Sequence, residues 1–132
     1  MKKKILAMML TVVLLFSGCG GHTLAVNRIV GESTVYSETE IKSAMSVVTR
    51  KFRSGFRGCV LLELRYDEEK TLREKERRAE KGETSEILVL SSKFYAGKSD
   101  GSLTPGMTYE GWTWELEKTG LGGWKLINYG FG

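Results

Sequence analysis

The clearest periodicity in the chain begins after Ser37. Ile41, Met45, Val48 and Phe52 recur at three- and four-residue steps with Ala44 beside them. That spacing predicts a helix of about four turns with one apolar stripe. Ser37-Glu38-Thr39-Glu40 opens it as a capping box, in which the serine hydroxyl accepts an orphan amide and Glu40 reaches back. Gly55 is the expected left-handed cap at its far end. Gly58 to Tyr66 then alternates as a strand, with Val60, Leu62, Leu64 and Tyr66 on one face and Glu63 and Arg65 on the other. Cys59 and Leu61 share the second face, so it is only partly solvated.

Residues 67–81 hold 12 charges in 15 positions, six of each sign, and only Leu72 and Ala79 are apolar. They predict a solvent-laced, thinly docked helix, started by Thr71 with Glu74, ended by Gly82 and supported by a Glu74–Arg78 pair. Glu86 to Tyr95 reads as a second strand, and Ile87-Leu88-Val89-Leu90 is too continuous to leave one face wet. A loop over 96–107 contains the sole proline, Pro105. Tyr109 to Lys118 is a third strand with Trp112, Trp114 and Leu116 on one face and Thr113, Glu115 and Glu117 on the other. Gly120, Gly122 and Gly123 supply a turn, and Trp124 to Tyr129 returns as a fourth strand. The order helix, strand, helix, strand, strand, strand predicts an α+β domain over 37–132. Its form is a curved, mostly antiparallel four-stranded sheet with the first helix across the concave face.

The N-terminal pattern belongs to no folded element. Lys2, Lys3 and Lys4 precede an apolar run from Ile5 to Phe16 that only Thr11 interrupts. This is the layout of a secretory signal over 1–18, and it is shorter than the roughly 20 residues of a spanning helix. Phe16-Ser17-Gly18-Cys19 follows and resembles the lipobox of bacterial lipoproteins, whose cysteine receives diacylglycerol and becomes the first residue after cleavage. The resemblance implies lipidation at Cys19 and an extracytoplasmic, membrane-anchored protein. Residues 19–36 have no clear period and read as a lipidated terminus and flexible tether. A coil of that length spans about 20–25 Å, which would lift the domain clear of the lipid.

Charge narrows the function. The chain has 20 Lys and Arg against 16 Asp and Glu, a net of +4, but three of those cations are in the leader. The remainder is nearly neutral, which argues against nucleic acid as a partner. With Cys19 acylated, Cys59 has no disulfide partner and reads as a small buried hydrophobe. The only histidine, His22, lies in the expected tether and reads as incidental. No zinc or serine–histidine constellation is available to the domain. Gly97-Lys98-Ser99 lacks the preceding glycine and following helix of a phosphate loop, and Asp100-Gly101-Ser102 is a turn rather than a calcium loop. No cofactor or metal is expected.

Two constellations remain. Arg50, Lys51, Arg53 and Arg57 are interleaved with Phe52 and Phe56, a patch suited to an anionic envelope polymer or headgroup. Alternatively they complement the helix dipole while the rings enter the core. Trp112, Trp114, Trp124 and Tyr129 gather on neighbouring strands, either as core or as the lining of a ligand pocket. Glu63, Asp67, Glu110 and Glu115 are the acids that could work in such a pocket, but none has a partner set by spacing.

Several segments together resemble a family of small Gram-positive lipoproteins. They are Gly58-Cys59, Tyr66-Asp67-Glu68-Glu69-Lys70, Asp100-Gly101-Ser102-Leu103 with Pro105, Trp112-Thr113-Trp114-Glu115-Leu116, Trp124 and Gly130-Phe131-Gly132. The family carries a domain of unknown function with a cystatin-like or nuclear-transport-factor-two-like cone. The resemblance implies that fold over residues 37–132 and transfers no functional residue. The expectation is a lipid-anchored, non-catalytic domain that binds an envelope protein or polymer. The alternative is a small-molecule-binding or isomerase- or dehydratase-like cone with its pocket between the first helix and the sheet.

Overall fold

The computed structural model describes residues 21–97 and 103–131. The leader and Cys19 lie outside them, as do Lys98 to Ser102. Two helices, α1 (Glu38–Gly55) and α2 (Glu68–Glu80), accompany five strands: β1 (Asn27–Ile29), β2 (Cys59–Tyr66), β3 (Ile87–Ala96), β4 (Thr108–Lys118) and β5 (Trp124–Phe131). The strands form one open mixed sheet in the order β1-β2-β3-β4-β5, with β1 parallel to β2 and the rest antiparallel. The domain is α+β as expected, but it has five strands, not four, and a strand precedes the first helix.

The additional strand comes from the expected tether. Residues 22–29 run along β2 and the rest of the segment is fastened to the domain. Asn27, Arg28 and Ile29 pair with Glu63, Leu64 and Arg65. Ahead of them, the His22 amide donates to the Cys59 carbonyl at 2.9 Å and the His22 carbonyl accepts from Leu61 at 2.8 Å. Side chains fasten the other end. Tyr36 is buried and donates to the Ile87 carbonyl, with Glu86 also in reach of its hydroxyl at 2.9 Å. The Ser33 hydroxyl donates to Glu68, which also accepts from the Thr34 amide at 3.1 Å. A segment with so little apolar periodicity is held by backbone pairing, by polar ties and by Val26, Val30 and Val35 packing on the core at irregular intervals.

Helix α1 begins as its pattern dictates. Ser37 caps it, and the reciprocal bonds with Glu40 are both present. It ends differently, because Gly55 stays helical and the left-handed turn falls at Gly58, with φ of 77°. Ile41, Ala44, Met45, Val48 and Phe52 are buried on one face of the sheet, where α1 touches β2, β3 and β5. In α2 the N-cap is Asp67, which accepts from the Lys70 amide at 2.9 Å, and not Thr71. Thr71 is fully buried, donating to the Asp67 carbonyl at 2.7 Å and accepting from the Val89 amide at 3.0 Å. A hydroxyl, more than Leu72, therefore docks this charged helix on β3. Leu72 is exposed.

Strand alternation also departs from expectation at a bulge. Leu61 pairs with Phe94 and Glu63 with Lys93, leaving Leu62 as the extra residue. One inserted residue reverses the facing of everything before it. Leu61, Leu64 and Tyr66 are consequently buried toward α1, whereas Leu62 is exposed and Val60 only half-buried. Further bulges fall at Gly111, with φ of 74°, and at Ile127.

Two carboxylates that tie elements together are held below the usual range. The Ser33 hydrogen bond does this for Glu68, with the Thr34 amide assisting. Lys118 at 2.9 Å and the Ser37 amide do it for Glu40. Because their folded pKa values lie below the unfolded one, the stability they contribute is complete above about pH 4.3 and is lost as pH falls through the folded values. Thermal melting across an acid series should show a plateau above about pH 5.5 and a decline below about 4.3. Glu68→Gln should lower the plateau and make the acid decline shallower. An unchanged acid profile in that variant would contradict the assignment.

Candidate functional site

The sheet has two faces, and they differ in what they leave open. On the α1 face, Phe56 is the hub of an aromatic cluster. Its ring centroid lies 4.9 Å from Phe52, 5.5 Å from Phe94, 5.3 Å from Trp114, 6.0 Å from Trp112 and 5.9 Å from Tyr129. Trp114 is fully buried, and its indole donates to Ser92 Oγ at 2.8 Å. Ser92 in turn donates to the Trp112 carbonyl at 3.0 Å, so a buried polar residue inside β3 orients the tryptophan. Trp124 is buried edge-to-face on Tyr36 at 5.3 Å. Trp112 is half-buried, and Tyr129, 44% exposed, stacks on Trp114 at 5.3 Å. The indole N–H groups of Trp112 and Trp124 are buried without a partner among the described residues, and nothing in the structure explains them.

The aromatic residues thus come together, as their strand positions suggest, but as packed rings. Cys59 is buried at the start of β2, 3.9 Å from the Arg57 carbonyl.

The opposite face is only partly covered by α2, and it carries two clefts. The larger, of about 340 Å³, is lined by Glu63, Arg65, Asp67, Ser91, Lys93 and Glu110 among others. Register builds it. Glu63 pairs with Lys93, which pairs with Glu110, so three neighbouring strands each project a charge at one level. The Gly111 bulge keeps Glu110 on this face, next to a glycine that adds no side chain. Arg65 binds Glu63 at 3.0 Å, Lys93 binds Glu110 at 3.3 Å, and Ser91 donates to Asp67 at 3.2 Å. The lining is polar, of both signs, and internally paired.

The second cleft, of about 210 Å³, lies between α2 and the sheet, with Arg77, Glu74, Val89, Thr113 and Glu115 on its walls. Burial pushes the Glu115 carboxyl up, and the negative charge of Glu74 adds to the effect against the opposing Arg78 and Arg77.

The four acids named from sequence therefore do line clefts, but not one between helix and tryptophans. Glu63, Asp67 and Glu110 share the larger cleft and Glu115 faces the smaller. Sequence reasoning missed Arg65, Ser91 and Lys93. The available signal was Ser91-Ser92-Lys93, a polar interruption in the apolar run of β3.

The basic residues of α1 are placed together as well. Arg50, Arg53 and Arg57 are exposed and Lys51 half-buried, with its ammonium 5.8 Å from the Tyr129 ring centroid. None of the four has a carboxylate within salt-bridge distance among the described residues. Phe52 and Phe56 between them are core.

If the rings are core, truncation should be costly. In denaturant unfolding, Trp114→Ala and Trp124→Ala should each lose about 3–5 kcal/mol, and the half-exposed Tyr129→Ala about 1 kcal/mol. Losses within about 1 kcal/mol for all three would instead mark a ligand-lining cluster.

Among the described residues no helix is long and apolar enough to cross a membrane, and no three metal-ligating side chains converge. No family model, curated protein or solved structure matches the chain, so its chemistry is read from this geometry.

Proposed function

We propose that this is a lipid-anchored, extracytoplasmic envelope protein that binds rather than catalyses, with the larger cleft as its contact site. The contrast between the two faces of the sheet carries the reading. Aromatic rings occupy the space where the isomerase- or dehydratase-like alternative needs its pocket. The opposite face offers a polar concavity to solvent. Four of its five charges neutralise one another in pairs and Asp67 is held by Ser91 and the Lys70 amide, which suits a partner rich in amides and hydroxyls, such as an extended peptide or glycan of the envelope, over a strongly charged small ligand. The fold itself we read as a variant of the cystatin-like cone, in which three bulges bend a sheet around one crossing helix. The leader and the Phe16-Ser17-Gly18-Cys19 run support the anchor, with acyl chains on Cys19 holding the protein at the membrane. The cations at the end of α1 and just after it, Arg50, Lys51, Arg53 and Arg57, add an anion-binding surface.

Anchor and cleft are tested separately. Cys19→Ala should abolish incorporation of labelled fatty acid and release the protein from membranes, and continued labelling would contradict the anchor. Lys93→Gln should leave the melting temperature within a few degrees of the parent, since it removes the charge without setting a third carboxylate between Glu63 and Glu110. It should also remove envelope components cross-linked to the wild-type protein in intact cells. The same cross-linked species at undiminished yield would contradict the cleft.

A further inference from the structure

The described chain begins fastened to the end of α1. The Gly21 amide donates to the Arg53 carbonyl at 2.9 Å, and His22 joins β2 immediately afterwards. Only glycine fits at this crossing. A Cβ on Gly21 would stand 2.5 Å from the Phe52 carbonyl oxygen and 2.8 Å from a carbon of its ring. Cys19 is two residues earlier, and two residues reach at most about 7 Å. Acyl chains on Cys19 would therefore enter the bilayer close beside Arg53. They would not do so at the end of a 20–25 Å leash, which is about what a free coil of this length gives.

The surface at that end has the composition of a membrane interface. Arg50, Lys51, Arg53 and Arg57 cluster there without carboxylate partners among the described residues, whereas Lys42, Arg65 and Arg78 are paired at 2.8, 3.0 and 3.2 Å. Strand register brings three exposed apolar side chains to the same end. Tyr95 pairs with Thr108 next to Met107, and Phe131 pairs with Trp112 beside Phe56. Phe131 is 65% exposed and Met107 49%. Aromatic and basic residues together are what settles at a headgroup layer.

We infer that the C-terminal end of α1, with the strand ends around it, rests on the anionic headgroups of the membrane in which Cys19 is anchored. The inference depends on the lipidation of Cys19. Range decides it. Charge attraction to a lipid surface decays over about 8 Å at physiological salt, which is comparable with the reach of a two-residue link and short of the span of a free tether. The domain is then held in one orientation, and its two attachments act together as acyl chain plus basic patch.

The test uses the full-length lipoprotein, matured in cells and reconstituted into vesicles. Spin labels are placed at Ser54→Cys, beside the basic patch, or at Leu121→Cys, in the hairpin at the opposite end of the sheet, and collisions with a headgroup-bound nickel chelate are measured. In vesicles with about 30% phosphatidylglycerol, enough for a negative surface potential, the label at residue 54 should collide several-fold more often than that at 121. The difference should shrink in pure phosphatidylcholine and in the triple variant Arg50→Gln, Arg53→Gln, Arg57→Gln, where the link alone orients the domain. Gly21→Val should reduce it by undocking the link. Equal collision rates in the anionic vesicles, with acylation of Cys19 established by mass spectrometry, would overturn the inference alone. Absence of acyl chains on Cys19 would overturn both it and the anchor.

Discussion

The packing of Phe52 and Phe56 against the rings of β3 and β4 is the interaction on which the other features depend. Phe56 sits where α1 ends, at a centroid distance of 5.3 Å from Trp114, and Phe52 lies 5.6 Å from Phe94. Large rings bury more apolar area per residue than any other side chain, and edge-to-face pairs add to that. For a chain of this size such a cluster supplies a large share of the driving force for folding. It packs the helix-facing side, and the two clefts formed by the described residues lie on the other face. It also fixes the end of α1 against which Gly21 lodges, and with it the position of the basic residues relative to the chain's N-terminal side.

The sequence reveals the elements whose burial is periodic. The α1 stripe, the capping box at Ser37 and Glu40, and the alternation of Trp112, Trp114 and Leu116 all have a face to hide, and each is found as expected. What was not legible lacks such a face. Residues 21–36 dock through amide pairing with β2, through Ser33, Tyr36 and Glu68, and through Val26, Val30 and Val35, whose spacing fits neither a helix nor an alternating strand. Bulges are equally silent. Leu62 sits in an unbroken alternation, yet the register at Glu63 displaces it to the surface. Only Gly111, a glycine between Glu110 and Trp112, hinted at a break.

The candidate site was half visible for a related reason. Glu63, Asp67 and Glu110 could be named as acids, but 47 positions separate the first from the last. Their meeting is a consequence of register across β2, β3 and β4. The basic run of α1 was legible as a run. Its proximity to Gly21 was not, because residues 19–36 read as a tether that would carry the domain away from the lipid.

The central claim is that the α1 face of the sheet is solid aromatic core, and a double-mutant cycle on Phe56→Ala and Trp114→Ala tests it most directly. Rings packed on each other in a filled interior should couple. The account predicts that the double variant departs from the sum of the single losses by at least about 0.5 kcal/mol in denaturant unfolding. Single losses that are each small, within about 1 kcal/mol, and strictly additive would show that these rings line open space, and the account would fail.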